Sequence, residues 1–306
     1  MISVAKCNTS KSPPSCQRLN EALAYPMKRS LLFVSFIAFI ALGASVPAHF
    51  AGARQAAPLL PPLVSDAEGR LKVGRNELFS SDYAFAIAAA AGATDTDPAL
   101  LFALVSRSRF AVNTFGANAG RDPDAPVGGP YAYGSAHWLH DLAVYGKEAG
   151  YPELATAVKR LPSGAFAIAD PVLRFRAMTE RTNPYLSSFL AAKAWQRARI
   201  ELELRRAPSD GLIMIAFLGG TQFAETLAKR DDKDRAELLE KAYPANRDVL
   251  LIMTGLPARN TRMDTEWTIG DFIDEINDLL RTKISDYSAA RRINVPNDYR
   301  PKKPIS

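Results

Sequence analysis

The residues with usable chemistry gather around one short stretch, Tyr131, Tyr133, His137 and Trp138. Aromatic faces at this density can stack on flat apolar surfaces such as sugar rings, while the hydroxyl, imidazole and indole tips supply hydrogen bonds. Arg107 upstream and Lys193 downstream add cations that can meet carboxylates. His137 and His140 stand three apart, a spacing that shares a helix face, but a metal needs a third ligand that the pattern does not supply. No metal site and no cofactor are expected. The cluster Ser106-Arg107-Ser108 has no histidine base for nucleophilic chemistry.

These groups need helices to hold them. Asp97 reads as an N-cap with Pro98 at the first helical position, and Leu100, Leu101, Leu104 and Val105 recur at helical spacing, with Arg107 at the edge of that face. A Gly/Asn/Asp/Pro-rich loop from Asn113 to Val127 follows, then the aromatic turn. Ser135 reads as the cap of a helix to about Ala149 carrying Trp138, Leu139, Leu142 and Tyr145. A small hairpin within 111–133 is the one strand feature expected.

The segment from Ala103 to Phe110 resembles the helix of soluble lytic transglycosylases and goose-type lysozymes, which ends Ala-x-x-Glu-Ser-x-Phe with the Glu as catalytic acid. The turn Gly129-Pro130-Tyr131-Ala132-Tyr133-x-Ser135-x-x-Trp138-Leu139 is similar to that family's Gly-Leu-(Phe/Tyr)-Gln-Phe-x-x-x-Thr-Trp-Leu. Asp170-Pro171, Asn183-Pro184-Tyr185, Phe189 to Ala192, Ala216 to Gly220 and Ala245-Asn246-Arg247 extend the resemblance over roughly 81–276. It implies a mainly α, lysozyme-like helical domain and an ancestry in peptidoglycan cleavage. Arg107 stands where the family has its acid, and a guanidinium cannot hand a proton to a leaving oxygen. Ala132 replaces an amide, Ile213 and Ala216 replace Tyr and His, and Lys193 replaces a Glu. The resemblance therefore implies a scaffold without the usual catalytic group, whose substrate-binding residues would be Arg107, Tyr131, Tyr133, His137, Trp138 and Lys193. Glu153, Asp170 and Glu180 are the candidates for a displaced acid.

The 306 residues are 47% hydrophobic and 23% charged, an ordinary globular composition. Residues 1–53 differ: Met27-Lys28-Arg29 precedes an apolar run from Leu31 to Leu42, and small-residue exits follow at Val46-Pro47-Ala48 and Ala51-Gly52-Ala53. This is the pattern of a secretory signal peptide, which predicts export to the periplasm or cell envelope and no transmembrane span in the mature form. Met1 and Met27 both remain open as the start. Both cysteines, Cys7 and Cys16, precede Met27, so the mature chain has no thiol to pair. Five of the 38 basic residues and one of the 32 acids lie in 1–53, leaving a mature charge of +2, so nucleic acid is not an expected partner.

Residues 54–76 read as a linker and 77–286 as the domain. Ser81-Asp82 open a first helix to Ala91, with Gly92 ending it. Asp170-Pro171 and Asn183-Pro184 repeat the cap-then-proline device and start two more helices, the second running to about Arg206 with a solvated charged half in which Arg197 pairs with Glu201. Leu212 to Leu218 reads as a buried helix, Thr221 as the cap of the next, and two further helices are expected near 232–243 and 269–282. The basic, proline-containing stretch 287–306 reads as disordered. Three functions remain open on the residues: an exported binder of peptidoglycan glycan strands or of a cell-wall partner, an active lytic enzyme with a displaced acid, and an assembly protein that binds another protein.

Overall fold

The computed structural model of the protein describes residues 63, 66, 68–75, 77–105, 127–204, 207–242 and 267–301. The leader, the stretch 106–126 with Arg107, and the Ala245-Asn246-Arg247 motif lie outside them. The described chain is mainly α-helical with small antiparallel strand pairs, the class the sequence predicts.

The first hairpin pairs β1 (Arg70–Lys72) with β2 (Leu78–Ser80), burying Leu71, Val73 and Phe79. Part of the stretch that reads as linker is thus packed structure. Three-residue strands show too few alternations for a period to register. Helix α1 (Ser81–Thr94) follows, capped by the Ser80 hydroxyl, and Gly92 stays helical because the left-handed turn falls at Asp95, with φ 52°. In α2, described over 98–105, Asp97 Oδ1 accepts from Ala99 N at 3.0 Å. Every residue from Ala99 to Val105 is buried, so α2 is a core rod and not a helix with one apolar face.

The second hairpin joins β3 (Val127–Gly128) to β4 (Tyr133–Gly134) through the expected aromatic turn. Gly134, not Ser135, takes the cap position of α3 (Ser135–Tyr145), which is shorter than expected. Next come α4 (Pro152–Ala157), a third hairpin of β5 (Lys159–Arg160) with β6 (Phe166–Ala167), and α5 (Pro171–Thr179). The Asp170 and Asn183 caps form as expected, each carboxyl or amide oxygen accepting two backbone N–H groups at 2.8 to 3.2 Å.

The central element is α6 (Pro184–Glu203), along which α1, α3 and α7 (Asp210–Gly219) pack. Its first half is buried from Leu186 to Ala192 and its second half turns charged. Gln196 Nε2 donates to Thr94 O at 2.6 Å, tying α6 to the end of α1. The buried α7 is met by α8 (Thr221–Lys233) and α10 (Ile269–Asp286), with a single turn α9 (Leu239–Ala242) between them. The helix expected over 232–243 is instead the last residues of α8, an irregular bend and α9. Arg230 Nη1, 3.0 Å from Glu237 Oε1, and the bridge between Leu238 and Thr268 hold that bend.

The C-terminal stretch is also ordered through residue 301, against the expectation of disorder. A 3₁₀ turn at Ser288–Arg292 buries Tyr287 and Ala290, and the Tyr287 ring stacks 6.0 Å from Phe102 and meets Phe79 edge-on. Two buried anchors outweigh the basic composition that suggested a solvated tail.

Candidate functional site

The aromatic turn is built from the inside. Trp138 is fully buried, and its indole Nε1 donates to Ala177 O at 2.8 Å. Tyr131 is buried with its hydroxyl 2.8 Å from Ser188 Oγ on α6. Tyr133 is buried edge-on to Trp138 and Phe217, and its hydroxyl has no hydrogen-bond partner among the described residues. Burial pushes both phenols well above their usual pKa. All three rings therefore face the core and offer no open face to a sugar, which corrects the binding role that the resemblance implied for Tyr131, Tyr133 and Trp138.

Beneath the turn lies Arg181, which the sequence alone does not single out. Its guanidinium is 1% exposed and donates from Nε to Met178 O at 3.1 Å and from Nη1 to Tyr133 O at 3.4 Å. Gly128 and Gly129 clear the space it needs, since a Cβ at Gly129 would strike the Arg181 carbonyl and the backbone there is left-handed, with φ 74°. The signal available was the pair of glycines in the turn.

A second polar group spans α3 and α6. Asp141 is 1% exposed and accepts from Arg197 Nη1 at 2.7 Å. His140 Nδ1 lies 2.9 Å from Asp141 Oδ1 and 3.1 Å from Arg197 Nη1, so its tautomer decides whether it donates to one or accepts from the other. The pair of Arg197 with Glu201 that the sequence suggests is present at 3.9 Å, and the buried Asp141 is a second and closer partner. His137, one turn before Asp141, is held below its usual pKa by burial, against the pull of Asp141. Lys193 is engaged by Glu148 at 2.6 Å and sits over the Phe189 ring. Among the described residues no three His, Cys, Asp or Glu side chains converge as a metal site.

The structure gathers a third group that the sequence does not. At the junction of α5 and α6, Asn183 Nδ2 donates to Glu180 Oε2 and to the Tyr151 hydroxyl, each at 2.8 Å. Burial raises the Glu180 carboxyl above its usual pKa, with the Asn183 bond and the Arg176 charge pulling the other way. The partly exposed Tyr185 follows Asn183 by two positions, and the partly exposed Tyr299, brought from the C-terminal stretch, rests edge-on against Phe85; burial foremost, with Asp82 and Tyr185 nearby, raises the Tyr299 phenol above its usual pKa. Of the other candidate acids, Asp170 caps α5 and Glu153 pairs with Arg176 at 3.3 Å. No local signal marks Tyr299, whose segment reads as disordered.

Comparison with family models, with curated proteins and with solved structures finds no match to this chain. Among the described residues no helix is long and apolar enough to cross a membrane.

Proposed function

We propose that the protein is exported and binds peptidoglycan glycan strands, without cleaving them, at the surface formed by Tyr185, Tyr299, Glu180 and Asn183. The observation that carries this reading is that two partly exposed tyrosines, Tyr185 and Tyr299, lie near Tyr151, whose hydroxyl shares the Asn183 amide with the Glu180 carboxyl. Flat rings take up the apolar faces of sugars while the fixed polar groups read hydroxyls and amides, the composition expected of a saccharide surface. Absence of cleavage rests on the chain's own residues: Arg107 stands where the resembled family carries its acid, and Glu153 and Asp170 are committed to Arg176 and to the α5 cap. The test is sedimentation with purified insoluble peptidoglycan. Wild type co-sediments and Tyr185→Ala with Tyr299→Ala does not, while no muropeptides are released; retention of binding by the double variant removes the reading.

One observation favours a second reading. Glu180 keeps its proton to higher pH than an ordinary carboxyl, as a general acid must. In that case wild type releases muropeptides and Glu180→Gln abolishes release while co-sedimentation persists.

A further inference from the structure

Between α5 and α6, the Glu180 carboxyl and the Tyr151 hydroxyl share one amide nitrogen, Asn183 Nδ2, at 2.8 Å each. Asn183 is fully engaged in holding them, because its Oδ1 also accepts from Tyr185 N at 3.0 Å and from Leu186 N at 3.2 Å. The carboxyl is only half engaged. Its Oε2 takes the Asn183 bond, while Oε1 makes no hydrogen bond among the described residues. Arg176, the cation within electrostatic reach of Glu180, is paired with Glu153 at 3.3 Å. Burial raises the Glu180 carboxyl above its usual pKa in spite of Asn183 and Arg176, so the ionised form lacks compensating charge. Tyrosines stand around it: Tyr151 is within electrostatic reach of Glu180, Tyr185 and Tyr299, and Tyr299 of Asp82 and Tyr185. Each of the two partly exposed rings has a second ring against it, Phe189 for Tyr185 and Phe85 for Tyr299, with centroids 6.2 Å apart in both pairs.

We propose that the glycan held at this surface carries a free amino group, a de-N-acetylated amino sugar whose ammonium sits on Glu180 Oε1 and against the rings of Tyr185 and Tyr299. The inference rests on glycan binding at Tyr185 and Tyr299 and narrows it. An ionised carboxyl oxygen only accepts, and the face of a tyrosine ring is the negative pole of its quadrupole, so both attract a cation. An N-acetyl group brings one neutral N–H to the same place. An ammonium brings three donors and the positive charge that the partly buried carboxylate lacks, and a charge-assisted bond is the stronger one. Asp82, near Tyr299, adds to the negative field, and Asn183 fixes where the carboxyl points.

Isothermal titration of the mature protein at about pH 6, above the usual carboxyl range and below the usual amine range, tests it with the glucosamine tetramer, the N-acetylglucosamine tetramer and cadaverine. The glucosamine tetramer binds at least about tenfold more tightly than the acetylated one, the value of one charge-assisted contact. Glu180→Gln, whose amide oxygen can still accept from Asn183, brings that ratio to about one. Reading the ratio within the variant cancels any general loss of affinity, and a urea midpoint confirms folding. In wild type the ratio also shrinks between about 50 mM and about 500 mM salt, as it must for partly exposed charges. Equal affinity for the two tetramers overturns the inference and leaves glycan binding standing, whereas binding of neither removes both. A ratio unchanged in Glu180→Gln or by salt, or cadaverine binding as tightly as the glucosamine tetramer, overturns it as well.

Discussion

Arg291 and Asp97 are 194 positions apart in sequence and meet through a two-pronged pair, Nη2 lying 2.6 Å from Oδ2 and Nε 3.1 Å from Oδ1. The same aspartate caps α2 by accepting from Ala99 N, so one carboxylate both starts a core helix and holds the C-terminal stretch.

Asp97→Ala removes both functions and should cost about 1–2 kcal/mol of stability, the range for a lost N-cap. Arg291→Ala removes only the exposed pair and should cost about 1 kcal/mol or less. Urea denaturation of the two variants checks the order. Equal losses would mean that the cap contributes nothing beyond the ion pair.

Gly129 and Arg181 form the second test of packing. Gly129→Ala places a methyl against the Arg181 carbonyl in a left-handed backbone, and a loss of about 2 kcal/mol or more is expected. Arg181→Lys should be no better tolerated than Arg181→Met, because an ammonium cannot reproduce the planar fork that reaches Met178 O and Tyr133 O together. Circular dichroism melts of the three variants, read beside wild type, decide it.

Two groups give stability opposite slopes with pH. Burial holds the Glu180 carboxyl above its usual value of 4.5, so the folded state keeps a proton that the unfolded chain has released, and stability falls as pH rises through the window just above that value. Burial holds His137 below its usual 6.5, so the unfolded chain binds the extra proton, and stability falls as pH drops below 6.5. Glu180→Gln should flatten the first slope and His137→Gln the second, measured as urea midpoints from about pH 4 to 8, a range set to bracket the two usual values. Unchanged slopes in both variants would assign the pH response to other groups.

Export makes its own prediction. Mass spectrometry of the protein from its host should find an N-terminus between Ala48 and Gln55. A cytoplasmic chain retaining Leu31 to Leu42 would remove the signal-peptide reading.

What the sequence made legible was local chemistry. Asp97-Pro98, Asp170-Pro171 and Asn183-Pro184 each carry a side-chain acceptor followed by a ring that fixes φ, and all three start helices where the residues say. The hairpin at 127–134 sits at the edge of the interval expected for it. What was not legible depended on distant partners. Arg197 keeps its i,i+4 pair with Glu201 at 3.9 Å and gains the closer Asp141 at 2.7 Å because α3 packs on α6, and Tyr299 reaches Phe85 from a C-terminal stretch anchored by the buried Tyr287 and Ala290. The burial of Tyr131 and Trp138 follows the general rule that such rings are more often core anchors than ligand contacts, but that of Tyr133 had no local signal, since an aromatic residue in a turn has the same identity whether its ring points out or in. Arg107, on which the resemblance turns, lies outside the described residues.

Tyr185 and Glu201 share one uninterrupted helix and stand sixteen residues apart, which sets them about 24 Å apart along the axis and about 160° apart around it. A single short ligand cannot reach both. The helix acts as a stiff strut whose two ends present nearly opposite sides, so a substitution at one end leaves the side chains at the other end out of its reach.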